Sequence, residues 1–404
     1  MADQNELIKQ EIRAEIKRSK KLPKRRKKSG RGRMLPLLLV MLIVLGAVGY
    51  AAYRNLDSMD SLRRRLSYNK VEQDADGKAE LFRYSSDRSA DYTMLGDDLL
   101  IVSTTRVQLL DSMGQELWTR TVGFDNPAVA RGGKTAAVYD VGGKTLFLLD
   151  ERGLLRDMSG ESGNGVIAAS LNASGYLALT TLKSGYRAAV TVYDPSGTAV
   201  FTFNSSERYV TDARVLDDNR HLAAVTPGES DGVYASTLTF YALDSEQKLD
   251  EATFSGSMIL ALGGVGGKLA ALEDDRLTLF GPDGSLAGSC RFDYPYLRAA
   301  SMDGDGYAVL LLSRYRSGSA LRLMTADAEG NVLGTLDEQR EIVDISAAGA
   351  YVAVLYTDSL TIYNRDLSVC AALNGTDFAK QTIMRPDGTA LLVGASRAWL
   401  FIPG

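Results

Sequence analysis

The chain has 404 residues, 45% of them hydrophobic, enough to build a sizeable core and too many for a disordered polymer. Its net charge of −4 conceals a split: residues 1–33 carry 13 Lys/Arg against 4 Asp/Glu, so everything after them is acidic. Two cysteines are too few for a disulfide scaffold, and one histidine excludes clustered His/Cys zinc ligation.

In the basic tail, NELIKQEIRAEIKRSKK (5–21) places Leu7, Ile8, Ile12 and Ile16 on one helical stripe. That pattern fits a helix lying on an anionic lipid surface, or a plain tail whose LPKRRKKSGRGR sets membrane topology. No aromatic residues accompany the charges, so nucleic acid is not an expected partner. Met34 to Tyr53, MLPLLLVMLIVLGAVGYAAY, then runs 20 residues without a charge. At about 1.5 Å per residue it reaches roughly 30 Å, the thickness of a bilayer's hydrocarbon layer. This is the expected transmembrane helix, with the lipid bilayer as its partner. The excess of Lys/Arg before it, against Arg54, Arg63, Arg64 and Arg65 after it, puts the N-terminus in the cytoplasm and the remainder outside. A signal peptide cut near Gly49 or Ala51 competes, but the apolar run and its basic leader are long for one. Ala47 and Ala51 form a small-xxx-small pair that could bring two spans together. Residues 54–77 read as a juxtamembrane helix with Leu56, Met59, Leu62 and Leu66 on one side, followed by the polar linker VEQDADGK.

From Lys78 onward the chain is strand-like and repetitive. VQLLDSMGQELW (107–118) returns as LFLLDERGLL, VTVYDPSGTAV, LTLFGPDGSLA and LRLMTADAEGNVL. Eight segments share one order: apolar strand, tight turn, small-apolar strand, loop, alternating strand, turn, outer strand. The second strands are marked at Leu99, Thr135, Tyr176, His221, Lys268, Tyr307, Tyr351 and Thr389, in steps of 36 to 47 residues. Four strands per step is the spacing of a β-propeller blade. The Asp-x-x-Gly joint has a local cause: Asp111, Asp150, Asp194 and Asp327 can bond nearby backbone N–H groups, while Gly114, Gly153, Gly197, Gly284 and Gly330 supply positive φ. DSEQ (244–247) and NRDL (364–367) lack the glycine, so looser turns are expected there. The end of the chain supplies three strands, and KAELFRYSS (78–86) is an unpartnered strand before the first unit. The expected fold is therefore all-β: an eight-bladed β-propeller over 78–404, with seven blades as the rival count. The leading strand should complete the last blade and remove an exposed edge.

The phrase DSMGQELW (111–118) resembles the Asp-x-x-(Thr)-Gly-Lys-x-x-Trp signature of quinoprotein (PQQ)-like propeller repeats. That superfamily includes pyrroloquinoline quinone dehydrogenases and a non-catalytic lipoprotein of the outer-membrane barrel assembly machinery. The single-span, basic-tailed layout is similar to an uncharacterised family of membrane-anchored propellers in Gram-positive bacteria. The motif is thin: Trp118 and Phe201 hold the aromatic position, and the other units have lost it.

A quinone dehydrogenase of that kind would need Ca²⁺ ligands, a base and commonly an adjacent Cys pair. Cys290 and Cys370 stand 80 residues apart in different outer strands, too far to bond. Neither a cofactor nor a catalytic residue is expected. His221 begins a strand, which fits a structural role. GGVGGKL (263–269) misses the phosphate-loop spacing and has Leu269 where a hydroxyl is needed, so it reads as a turn. DGDG (303–306) would put Arg314 at the bidentate position of a calcium loop, and it too reads as a turn.

The leading strand enters on the face that carries the Asp-x-x-Gly turns, so the opposite face should look away from the membrane. There the loops are unequal: LKSGYR (182–187), TPGESDGVY (226–234), SRYRSGS (313–319) and FDYPYLR (292–298) are long. They gather Tyr186, Arg187, Tyr234, Tyr294, Tyr296, Arg314, Tyr315 and Arg316, and Tyr and Arg are enriched at binding hot spots. The expected function is a non-enzymatic binding or scaffold module of the cell envelope that holds a protein or wall polymer. A sensor coupling an external ligand to the basic tail is the first alternative. An enzyme is the second, and glycan cleavage would require Asp212 and Asp344 to converge in the channel.

Overall fold

The computed structural model describes Arg64 and residues 67–69, 71–85, 90–161, 163–245 and 247–404. The basic tail and the 34–53 stretch lie outside the described residues, among which no helix is long and apolar enough to cross a membrane.

The described strands form eight four-stranded antiparallel sheets. Within each, strands a to d run from the inside outward. Blade one spans Asp91–Leu95 to Glu116–Thr121 and blade two Pro127–Gly132 to Gly153–Asp157. Blades three to seven open with Val166–Leu171, Asp212–Val215, Ile259–Val265, Tyr296–Ser301 and Ile342–Ala348. Blade eight contains Gln381–Met384, Ala390–Val393 and Arg397–Phe401, with Lys78–Arg83 hydrogen-bonded along the last of these. The second strands begin within one residue of every sequence marker.

Eight apolar clusters hold the ring, one between each successive pair of blades. They run from blades one and two, through two and three, to seven and eight, and finally eight and one. In the last cluster Phe82, Leu400 and Ile383 meet Met94, Leu99 and Ile101. Both faces of each sheet are thereby covered, which is why middle strands such as YVAVLY (351–356) are buried at every position instead of alternating.

The c–d turns explain the Asp-x-x-Gly phrase twice over. Asp111 Oδ1 accepts from the N–H groups of Met113 and Gln115, at 2.9 and 2.8 Å, and Asp327 does the same for Glu329 and Asn331. The glycine takes a positive φ, 78° at Gly114 and 82° at Gly330. It also presses against the d strand of the preceding blade: a Cβ on Gly153 would meet Trp118, one on Gly330 would meet Ser289, and one on Gly114 would meet the Leu81 carbonyl. Gly is therefore required by packing between blades as well as by backbone conformation.

The sequence expectation fails in two places. NRDL is not loose: Leu367 adopts φ 63° and donates to the Asn364 carbonyl at 2.9 Å, as the glycines do. TPGESDGVY is not a loop, because the strands His221–Ser230 and Val233–Ala242 continue through it to a tight turn at Asp231–Gly232.

Candidate binding surface

Chain connectivity gives the propeller two faces. The a–b and c–d turns lie on one, the b–c and d–a loops on the other. The segment before the first strand meets the turn face. Arg64 Nη1 donates to the Asp387 carbonyl at 2.9 Å, and Tyr68 Oη donates to Asp387 Oδ2 at 2.7 Å; Asp387 sits in the a–b turn of blade eight. Burial pushes the Tyr68 hydroxyl up to about 12. Burial works against the Asp387 charge, yet hydrogen bonds from Thr389 and Tyr68 hold its carboxyl below the usual range.

On the loop face, the expected residues fall into two groups. In blades three and four, Lys183 lies 5.6 Å from the Tyr186 ring, Arg187 lies 5.6 Å from the Tyr209 ring, and Arg208 donates to Thr237 Oγ1 at 3.3 Å. Tyr234 is exposed on the long hairpin. In blade six, Tyr296 is the exposed first residue of strand a, and Arg314 lies 5.9 Å from the Tyr315 ring. Arg316 is exposed beside it. The 313–319 loop is pinned: Ser313 Oγ reaches the carbonyls of Tyr315 and Ser319 at 2.7 and 3.2 Å, and Arg314 N donates to Ala320 O at 3.0 Å. Tyr294 is occupied elsewhere. Its ring carries the Arg322 guanidinium at 4.4 Å and its hydroxyl reaches Asp337, itself paired with Arg322. Among the described residues no hydrogen bond or ion pair joins the two groups.

The channel holds what sequence reading missed. Polar side chains on the inner strands clasp the next blade's inner strand: Ser301 Oγ accepts from Ala347 N at 3.1 Å, and Ser346 Oγ from Met384 N at 2.9 Å. Asp212 Oδ2 accepts from Leu262 N at 3.2 Å and Asp344 Oδ2 from Thr382 N at 2.8 Å. Asp212 and Asp344 thus serve different blade junctions, three blades apart, rather than converging as a catalytic pair. Burial pushes both carboxyls up to about 6, partly offset by these backbone bonds. Asp344 lines a chamber of about 450 Å³ walled by inner strands of seven blades; Asp212 does not. Across it Arg131 of blade two pairs with Asp303 of blade six at 3.2 Å, so DGDG contributes an ion pair between opposite sides of the ring.

Four inner strands, in blades three, five, six and seven, carry a β-bulge after their first or second residue. The inserted residues are Ile167, Leu260, Arg298 and Val343. A bulge breaks the two-residue alternation and re-aims one side chain. Leu260 is 58% and Val343 41% exposed.

The remaining motifs are structural. GGVGGKL forms the turn between Ile259–Val265 and Lys268–Glu273, with Gly266 and Gly267 at φ 56° and 75°. His221 Nδ1 bonds Asp218 Oδ2 at 2.5 Å at the start of a strand. Cys290 is buried and Cys370 exposed, in the d strands of blades five and seven, and no disulfide joins them.

Solved structures share this architecture. The C-terminal WD40 domain of Sif2 is similar with a TM-score of 0.57 at 13% identity, over 81% of this chain and 99% of that one. BamB from Moraxella catarrhalis gives a TM-score of 0.49 at 13% identity, over 80% of this chain and 96% of its own. Apo AztD from Citrobacter koseri gives 0.47 at 12% identity, over 71% and 85%. At 13% identity the likeness to the Sif2 domain establishes the β-propeller fold alone. No curated protein matches the chain. A family model matches residues 68–369, three quarters of the sequence, and the chain accordingly belongs to the family of unknown function DUF5711.

Proposed function

We propose that this protein is a membrane-anchored, extracytoplasmic, non-enzymatic scaffold whose loop face holds a protein partner. The observation that carries the reading is the seat of Arg64 and Tyr68 on Asp387. The charge-free 34–53 stretch ends eleven residues before Arg64, and in this reading the chain reaches the propeller on its turn face, opposite the Arg/Tyr-bearing loops. In this reading Lys78–Arg83 is the clasp through which the anchor grips blade eight. The channel supports binding over chemistry, because its buried carboxylates are spent on backbone N–H groups of neighbouring blades.

Site-specific photocross-linking in cells tests the proposal. A cross-linker at Tyr315 or Tyr186 should trap one discrete protein species from outside the cytoplasm, while one at Asp283 in a c–d turn should not. Equal trapping from both faces, or none from the loop face, refutes the reading. Accessibility of Cys370 to a membrane-impermeant thiol reagent in intact cells tests the topology independently.

A further inference from the structure

Ser257 lies in the connection from blade four to blade five, on the loop face, and is buried. Three carboxyl groups converge on its hydroxyl. Oγ is 2.9 Å from Oε2 of Glu273, 2.8 Å from Oδ1 of Asp274 and 3.3 Å from Oδ1 of Asp275. Glu273 closes strand b of blade five and is fully buried, whereas Asp274 and Asp275, in the loop that follows, are half-buried.

A serine hydroxyl has one hydrogen and cannot donate it to two carboxylates at once. With Glu273 and Asp274 both ionised, one of them would face the hydroxyl's lone pairs at hydrogen-bond distance with no hydrogen between. A second hydrogen is needed, and burial decides which acid carries it, because a charge costs most at Glu273. Glu273 then donates from Oε2 to Ser257 Oγ, and Ser257 donates to Asp274 Oδ1. Thr278 Oγ1 donates to the other Glu273 oxygen at 2.5 Å. The cations facing the cluster are engaged with Asp275: Arg276 takes it through two nitrogens at 2.9 Å each and stands 3.6 Å from Glu273, and Arg291 reaches it at 3.5 Å. Strand a presents Ile259 and blade four presents Ser236, neither of which titrates. Burial is the chief influence on the Glu273 carboxyl and pushes it up; Thr278, Ser257 and Arg276 pull the other way, and the Asp275 charge adds to the rise.

The cluster fastens the connection to its blade. Met258 N donates to Asp274 Oδ1 at 3.2 Å, and Asp274 N donates to the Met258 carbonyl at 3.1 Å. Two residues earlier, Gly256 N donates to the Tyr234 carbonyl at 2.8 Å, so the same connection ties down the long blade-four hairpin. We propose that Glu273, Ser257 and Asp274 form a proton-locked latch: with a proton on Glu273 the hydroxyl bridges both acids and holds the 255–258 connection, and loss of that proton releases the connection and its grip on the Tyr234 hairpin. The latch holds whatever the loop face binds. Its closed form binds the proton more tightly than its open form, in which Glu273 meets water and returns to the ordinary carboxylate range. The latch is therefore at full strength below that range, weakens as pH rises through it, and stops weakening once the raised value of the closed form is passed.

Hydrogen exchange on the full chain in detergent, resolved to single amides and divided by the intrinsic rate at each pH, reads the opening. In the parent, Met258 should lose protection upward from about pH 4.5, by up to about tenfold per pH unit, and then level off. Gly256 should follow it. The Leu182 amide, bonded to the Gly165 carbonyl at 2.8 Å in another loop of the same face, should stay flat. Glu273→Gln can donate to Ser257 and accept from Thr278 with no proton to lose, so Met258 should stay protected at every pH. Ser257→Ala should leave Met258 about tenfold less protected in acid, the effect of one lost buried hydrogen bond. Parallel pH profiles in the parent and Glu273→Gln overturn the proposal, as does loss of protection at Leu182 in step with Met258. Should Glu273→Gln not fold, Ser257→Ala decides alone: protection of Met258 equal to the parent's in acid overturns the latch.

Discussion

Asp344 offers the sharpest test of how the inner strands are joined. Burial pushes its carboxyl from 3.8 in the unfolded chain up to about 6, and Asp212 behaves alike. A folded-state pKa raised above the unfolded one favours the protonated native form. The resulting stability is fully present below about pH 4 and is lost as pH rises through about 6. A gap of about two units at roughly 1.4 kcal/mol each makes this about 3 kcal/mol per carboxyl across the whole window. Asp344→Asn keeps an oxygen to accept the Thr382 N–H while removing the charge, so its stability should lack this slope. Urea unfolding followed by tryptophan fluorescence, at several pH values between 4 and 7.5, measures it. The difference between Asn variant and parent should grow by about 2 kcal/mol in favour of Asn between pH 4.5 and 7, and become flat above that. Parallel curves over the whole range would show that the carboxylate titrates normally and that the clasp on Thr382 carries no buried charge.

Two further outcomes are expected. Phe82→Ala removes a ring buried at the junction of blades eight and one, at a cost of about 3–5 kcal/mol, visible as a lower melting temperature and faster proteolysis near residues 78–83. A native sample should take up one maleimide, at Cys370, and a urea-unfolded sample two, because burial shields Cys290 and pushes its thiol up.

Much of the architecture is legible because several blades repeat one local necessity. An Asp that bonds nearby backbone N–H groups and a Gly with positive φ join strands c and d in blades one, two, three and six, so these turns mark the repeat. Leu367 escaped that logic: a non-glycine residue in the left-handed region is carried by the surrounding sheet, which no local rule foresees. The long hairpin of blade four was read as a loop, yet its tip is a two-residue turn compatible with uninterrupted pairing through Pro227, Gly228 and Ser230.

The binding surface was legible only in outline. Tyrosines and arginines in long loops announce themselves, but Tyr294 is consumed by the Arg322 and Asp337 network, which joins positions 15 residues and more apart in sequence. The exposure of Leu260 and Val343 has no counterpart in the sequence pattern. A single inserted residue turns them outward, and strand periodicity carries no mark of it until the partner strand's register is known. Arg131 and Asp303 lie four blades apart, a distance that only a closed ring makes short.

The pairing of Lys78 with Phe401 and Arg83 with Arg397 has a mechanical consequence. The N-terminal segment departs from the Lys78 end, on the turn face, so tension applied there pulls along the strand and not across it. Every backbone bond of the pair then bears load together in shear, and none can be peeled open singly. Any force between a fixed N-terminus and an object gripped on the loop face would be borne by the whole length of this one ribbon, reinforced by the Phe82 ring wedged beneath it.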